Sequence, residues 1–152
     1  MENDSAVVSV DTTIHYFSKD MPPAKVTLAS VGGKAHSLIR MVELNLPVPP
    51  GFVLPVGFFS DWFESIKRTS AWQSFLEADV NSKLRSSCDA LKKEAMKLSF
   101  SDEQKSAVNA ALEKFNHKGE LFAVRSSSPE EDLEGSSFAG GYETILGDEG
   151  WN

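Results

Sequence analysis

The sequence predicts an α+β fold with a mostly antiparallel sheet, and two observations support that prediction. Segments rich in β-branched and aromatic residues stand near the two ends of the chain, at residues 5–17 and 121–124. Between them, apolar residues recur at the spacing of helices. Strands grouped at the two ends of a chain with helices between them are typical of α+β domains.

The first part of the chain is predicted to hold two strands and one helix. Residues 5–17 form the first strand, which Met21-Pro22-Pro23 ends. A helix follows from Lys34 to Leu46, because its apolar residues lie on one face. Gly32-Gly33 opens this helix, Pro47 closes it, and residues 52–54 then form a short buried strand.

Four further helices are predicted before the chain returns to strands. Apolar positions mark three of them near residues 58–66, 72–76 and 80–98. The fourth begins at Ser101, which with Gln104 has the Ser-x-x-Gln spacing of a capping box. A buried strand at residues 121–124 then ends at Arg125, an acidic loop follows, and residues 142–146 form the last strand.

Composition argues against several classes of protein. The 152 residues are 41% apolar and 24% charged, as in an ordinary globular protein. The net charge of −7 is unlike the basic excess of a nucleic-acid-binding surface. No segment approaches the ~20 consecutive apolar residues that span a bilayer, and the acidic start of the chain is unlike a targeting leader. We therefore expect a cytoplasmic protein without nucleic-acid or membrane partners.

Two segments contain the residue types of a phosphate site. Gly32-Gly33-Lys34 stands at a predicted helix start, where glycines permit close approach, the first amides attract anions and the lysine adds a mobile charge. This is not a Walker A loop, because the glycine spacing differs and Ala35 stands where Ser or Thr is needed. Arg125 ends a strand before three serines, and its guanidinium can hold phosphate oxygens through two hydrogen bonds.

The residues alone leave simpler alternatives open. Gly32-Gly33 can be a turn before an ordinary helix, and Arg125 can pair with the acids at 130–132. Residues 137–141 are either a flap over a ligand or a plain turn before the last strand. The three histidines lack the spacing of a zinc site, and the acidic loop looks solvated rather than catalytic.

Taken together, these segments resemble a known enzyme family. Residues 32–38 (GGKAHSL) and 46–52 (LPVPPGF) are similar to the opening signature of phosphoenolpyruvate synthases. Residues 123–133 (AVRSSSPEEDL), 137–140 (SFAG) and 143–144 (ET) resemble their second signature. Rifampicin phosphotransferases share these motifs, and pyruvate phosphate dikinases and glucan water dikinases carry looser versions. The chain is identified as the N-terminal, nucleotide-binding part of a member of this family.

The resemblance implies the N-terminal half of an ATP-grasp domain with an inserted helical block. It implies that Lys34 and Arg125 contact the phosphates of ATP and that Gly140 and Thr144 line the same site. One departure affects the flap, because Gly141 stands where family members usually have Gln. The expected organisation is a strand and turn at 1–24, a partial ATP-binding domain at 25–147 and a truncated tail at 148–152.

The resemblance also implies a larger phosphotransferase, a dikinase that uses ATP and Mg²⁺. In the family, a second ATP-grasp half supplies the adenine pocket and the metal ligands. A swivelling domain supplies the histidine that is phosphorylated before an acceptor such as pyruvate. Neither part is in these residues, so we expect the 152-residue chain to be an inactive fragment when alone. The alternative is a non-catalytic nucleotide-binding or regulatory module, and the acceptor and oligomeric state stay open.

Overall fold

A computed structural model describes residues 10–79, 81–115, 121–129 and 144–147, with only the backbone described at 81–82 and 144–147. Its elements are β1 (His15–Phe17), α1 (Leu28–Glu43), β2 (Gly51–Val53), a 3₁₀ turn (Val56–Phe59), α2 (Ser60–Lys67), α3 (Ser70–Leu76), α4 (Asn81–Ala95), α5 (Asp102–Phe115), β3 (Phe122–Arg125) and β4 (Thr144–Gly147). The pairs β1–β2 and β3–β4 are both antiparallel, which confirms the predicted α+β class.

The chain divides into two compact units. Unit 1 contains the residues up to Phe58 and those from Asn109 onward, whereas unit 2 is Phe59–Val108. The last residues of α5, 109–115, belong to unit 1, so unit 2 contains most but not all of the helical block that the sequence predicts between the strands. Within it, Ser87 Oγ donates a hydrogen bond of 3.2 Å to the carbonyl oxygen of Ser74 and so links α4 to α3.

The core of unit 1 combines one face of α1 with three aromatic rings. The buried apolar residues of α1 recur at helical spacing: Val31, Ala35, Ile39 and Val42. Tyr16 on β1 lies opposite Phe52 on β2, with ring centroids 6.3 Å apart. Phe115, at the end of α5, stacks on Phe52 at 6.3 Å. These contacts hold the end of α5 against the β1–β2 pair.

Helix α1 begins at Leu28 rather than at the predicted Lys34. Thr27 caps it, because Thr27 Oγ1 accepts a hydrogen bond of 3.2 Å from the Ser30 amide. Gly32 lies inside α1 with φ 78° and ψ 170°, which are not helical angles. Gly32-Gly33 therefore interrupts the helix instead of opening it.

Helix α1 ends at Glu43, before the predicted Leu46, at a left-handed residue. Asn45 has φ 55°, and its amide donates to the carbonyl oxygen of Val42 at 2.9 Å. The Leu46 amide donates to the carbonyl oxygen of Met41, also at 2.9 Å. This pair of bonds is the Schellman motif, which satisfies the last carbonyls of a helix.

The strands differ from the prediction in length and burial. β1 is His15–Phe17 and does not include residues 10–14, where the Thr13 amide instead bonds the Asp11 carboxylate at 3.1 Å. Val124 on β3 is 49% exposed, so the prediction that this strand is buried is wrong. Among the described residues β3 pairs with β4 alone, and a two-stranded ladder depends on other elements to cover its faces. β2 is half-buried for the same reason.

The capping box predicted at the start of α5 is confirmed. The Gln104 amide donates to Ser101 Oγ at 3.2 Å, and the Ser101 amide donates to Gln104 Oε1 at 3.0 Å. The two side chains thus satisfy two backbone donors at the helix start.

Candidate functional site

The two segments that the sequence marks as phosphate contacts meet in unit 1. Lys34 Nζ donates a hydrogen bond of 3.1 Å to the carbonyl oxygen of Ser126, which is 92 residues away and directly follows Arg125. The Gly33 amide donates to the carbonyl oxygen of Ser128 at 2.9 Å. The chain from β3 therefore runs across α1 at the point where the helix is interrupted.

Ser127 lies at the centre of this contact. Its Oγ accepts a hydrogen bond of 3.1 Å from the Ala35 amide. A Cβ placed on Gly32 would lie 2.5 Å from both the carbonyl carbon and the Oγ of Ser127. Only a residue without a side chain allows so close an approach, and the positive φ of Gly32 also favours glycine.

The structure thus changes the explanation of the glycines. The sequence suggested that they let a ligand approach the backbone and that helix-start amides bind an anion. The segment that approaches Gly32 is Ser127 of the same chain, and the amides of Gly33 and Ala35 bind protein acceptors. These two amides therefore bind protein acceptors, and the predicted phosphate contact of this segment concerns the Lys34 side chain.

The backbone register brings a second pair of predicted site residues together. Arg125, at the end of β3, lies opposite Thr144, at the start of β4. The Arg125 side chain is exposed to solvent. Gly140 lies outside the described residues, as do residues 130–132, the acids that could pair with Arg125.

The geometry places two long cationic side chains on neighbouring backbone. Lys34 reaches the carbonyl oxygen of Ser126, the residue that directly follows Arg125. An ammonium carries three donors, so the bond to Ser126 does not by itself prevent phosphate binding. Arg adds a planar group that can bind two oxygens at once. This combination suits a polyphosphate, whose charge extends over several oxygens.

Other features of the described residues do not form a site around this contact. No group of three or more His, Cys, Asp or Glu side chains in the described ranges is arranged to hold a metal ion. Two surface depressions of unit 1, of about 290 Å³ and 390 Å³, are lined in part by Lys114 and by Lys25. Neither is lined by Lys34 or Arg125. None of the described helices combines the length and apolar character needed to cross a bilayer.

The sequence predicts the two cations but not the residue that joins their segments. Nothing in the pattern distinguishes Ser127 from its two serine neighbours, because its partner Ala35 is 92 residues away. The Thr27 cap carries a weak signal, since Ser30 stands where a capping box usually has Glu or Gln.

Comparison with known proteins gives two matches. Residues 28–151 match the family described as pyruvate phosphate dikinase, AMP/ATP-binding domain. The chain is 35% identical over 115 residues to an uncharacterized phosphotransferase, YvkC, of Bacillus subtilis (strain 168). That alignment covers 76% of this chain and 12% of the relative, so the chain spans a small part of the relative's length. No solved structure matches.

Proposed function

Because the chain belongs to the pyruvate phosphate dikinase AMP/ATP-binding domain family, we propose that it is the ATP-binding portion of a dikinase. In the proposed reaction, a histidine on a swivelling domain attacks the β-phosphorus of ATP and AMP leaves. Water then releases the γ-phosphate as inorganic phosphate, and the histidine keeps the β-phosphoryl group. The phosphohistidine then passes its phosphoryl group to an acceptor such as pyruvate. These steps belong to a longer protein, consistent with the small fraction of YvkC that the chain covers.

The observation that carries the proposal is the hydrogen bond from Lys34 to the peptide after Arg125. Two segments far apart in sequence, each carrying one of the two predicted cations, meet at this bond, which is expected if both cations serve one ligand. In the proposed site the ammonium and the guanidinium offset the negative charge of the triphosphate. Such fixed charges also stabilise charge that develops during transfer, without reorganising at that moment.

Gly140 and Thr144 complete the proposed site. Thr144 is included because the register sets it opposite Arg125, and Gly140 because of the family motif alone. The proposed ATP-binding segment is residues 25–147. Mg²⁺ accompanies ATP in the proposal, but its ligands are assigned to the second ATP-grasp half, and the roles of Lys34 and Arg125 do not depend on it.

The test is transfer of label from ATP in the full-length protein that contains this chain. ATP labelled at the β-phosphate should give AMP and an acid-labile, base-stable phosphoprotein, as expected for phosphohistidine. Lys34→Met and Arg125→Ala should each reduce labelling at least about tenfold, because each removes a charged hydrogen bond worth ~1.5–3 kcal/mol. ATP binding without label in the wild type would instead support the non-catalytic nucleotide-binding module.

Matched controls separate the site from general charge effects. Lys25→Met removes an exposed lysine of unit 1, and Arg85→Ala removes an exposed arginine of unit 2. Both should label like the wild type. Equal losses in the control and site variants would show that net charge, and not this contact, governs the reaction.

A further inference from the structure

The contact between the two cationic segments has an unusual division of roles. Three consecutive residues of one segment bind three consecutive residues of the other. Ser126 and Ser128 use their carbonyl oxygens, toward Lys34 and Gly33. Ser127 uses its side chain, toward the Ala35 amide. Its bond can therefore be removed by a substitution that leaves both carbonyls in place.

Ser127 performs the task of a helix cap from a distant part of the chain. The first amides after a helix break have no acceptor in the preceding turn. A local cap would ordinarily come from the residue at the break, but Gly32 has no side chain, and the residue before it is Val31. The Ser127 hydroxyl instead accepts from Ala35 at 3.1 Å.

Ser127 and Ser128 together bind the amides on both sides of Lys34. The amide before it, at Gly33, and the amide after it, at Ala35, are held by residues 128 and 127. The same segment begins at Arg125, two residues before Ser127. The backbone carrying the lysine and the backbone carrying the arginine are consequently fixed to each other. A ligand that binds both cations meets them already positioned, which reduces the ordering cost of binding.

We propose that Ser127 is a positioning residue, which holds Lys34 and Arg125 as a preorganised binding site for the triphosphate of ATP. The inference rests on the proposed function, because it assumes that both cations bind ATP. Ser127 itself is not assigned a contact with the nucleotide. Its effect passes through the backbone at residues 33–35.

A double-mutant cycle on ATP binding tests the proposal in the full-length protein. Ser127→Ala should weaken ATP binding about tenfold, which corresponds to ~1.4 kcal/mol. In a Lys34→Met background the same substitution should weaken ATP binding less than about twofold, because Arg125 then has no second cation beside which Ser127 could hold it. An equal loss in both backgrounds would overturn the proposal, since Ser127 would then act independently of Lys34.

Further variants keep the outcome interpretable. Ser127→Thr keeps the hydroxyl and should bind ATP within about twofold of the wild type, and a loss equal to that of alanine would also overturn the proposal. Ser37→Ala, at an exposed position of α1, should change nothing. If Lys34→Met weakens binding but Ser127→Ala does not, the inference fails and the proposed function stands. If Lys34→Met has no effect, both fail.

Discussion

The substitution Gly32→Ala tests the packing that the site depends on. Gly32 has φ 78° and ψ 170°, a region of backbone angles that is essentially restricted to glycine. Its added methyl group would also lie 2.5 Å from the carbonyl carbon of Ser127, which is closer than non-bonded carbons approach. Because Ser127 presents backbone there, a side-chain rotation cannot relieve the contact.

The magnitude follows from two costs. Forcing a residue with a Cβ into such backbone angles costs about 1–3 kcal/mol. Crowding one additional carbon into packed structure costs a further ~1–3 kcal/mol. We therefore expect Gly32→Ala to destabilise the contact between α1 and residues 126–128 by about 2–6 kcal/mol.

Native-state hydrogen exchange is the suitable assay, because it reports the local opening of individual amides. The amides of Gly33 and Ala35, which bond to Ser128 and Ser127, should lose most protection in Gly32→Ala. Amides of α4, in unit 2, should exchange as in the wild type. The matched control Ser37→Ala places alanine at an exposed position of the same helix and should change stability by less than ~0.5 kcal/mol. Protection at Gly33 and Ala35 that is unchanged by Gly32→Ala would refute the close approach described here.

Three other predictions concern stability. Ile39→Ala should lower the free energy of unfolding of unit 1 by about 2–5 kcal/mol, because Ile39 is 1% exposed in the core of that unit. Hydrogen exchange of unit 1 amides, measured across a denaturant titration, gives this free energy. Asn45→Ala should cost about 1–2 kcal/mol and Asn45→Gly should be neutral or stabilising, because φ is 55° there; a loss in both variants would contradict this. The hydrogen bond to His15 holds the pKa of Asp11 below its ordinary value of 3.8. The ionised Asp11 carboxylate therefore stabilises the folded protein above pH 3.8, and this stabilisation is lost as the pH falls through the lower pKa of the folded state. Asp11→Asn should remove this pH-dependent part of the stability, and the effect should be small because the Asp11–His15 pair is partly exposed. The urea midpoint of the variant, measured down to about pH 2, should depend less on pH than that of the wild type.

Local signals allowed the fold class to be predicted, and long-range contacts explain where prediction failed. The Ser101–Gln104 capping box is a short-range pattern, and both of its bonds are present. The start of α1 was misplaced because Gly32-Gly33 usually stops a helix. Here the helix continues beyond Gly32, since Ser127 and Ser128 supply acceptors for the amides beyond the break. The burial of β3 was misjudged because four apolar-rich residues predict a strand but not what covers it.

The candidate site likewise has a part that the sequence predicts and a part that depends on long-range contacts. Residue chemistry and family motifs predict Lys34 and Arg125 as phosphate contacts, and the two segments that carry them do meet. Their role in binding ATP stays a prediction. The role of Ser127 depends on a hydrogen bond between residues 92 positions apart, so sequence spacing could not reveal it.

Calorimetric titration of the full-length protein with ATP tests the central claim, that Lys34 and Arg125 bind the phosphates of one nucleotide. Lys34→Met and Arg125→Ala should each weaken binding about tenfold or more, whereas Lys25→Met should bind like the wild type. In both site variants, the affinity for AMP, which lacks the β- and γ-phosphates, should fall less than the affinity for ATP. ATP affinities in Lys34→Met and Arg125→Ala that equal the wild-type value would contradict the account.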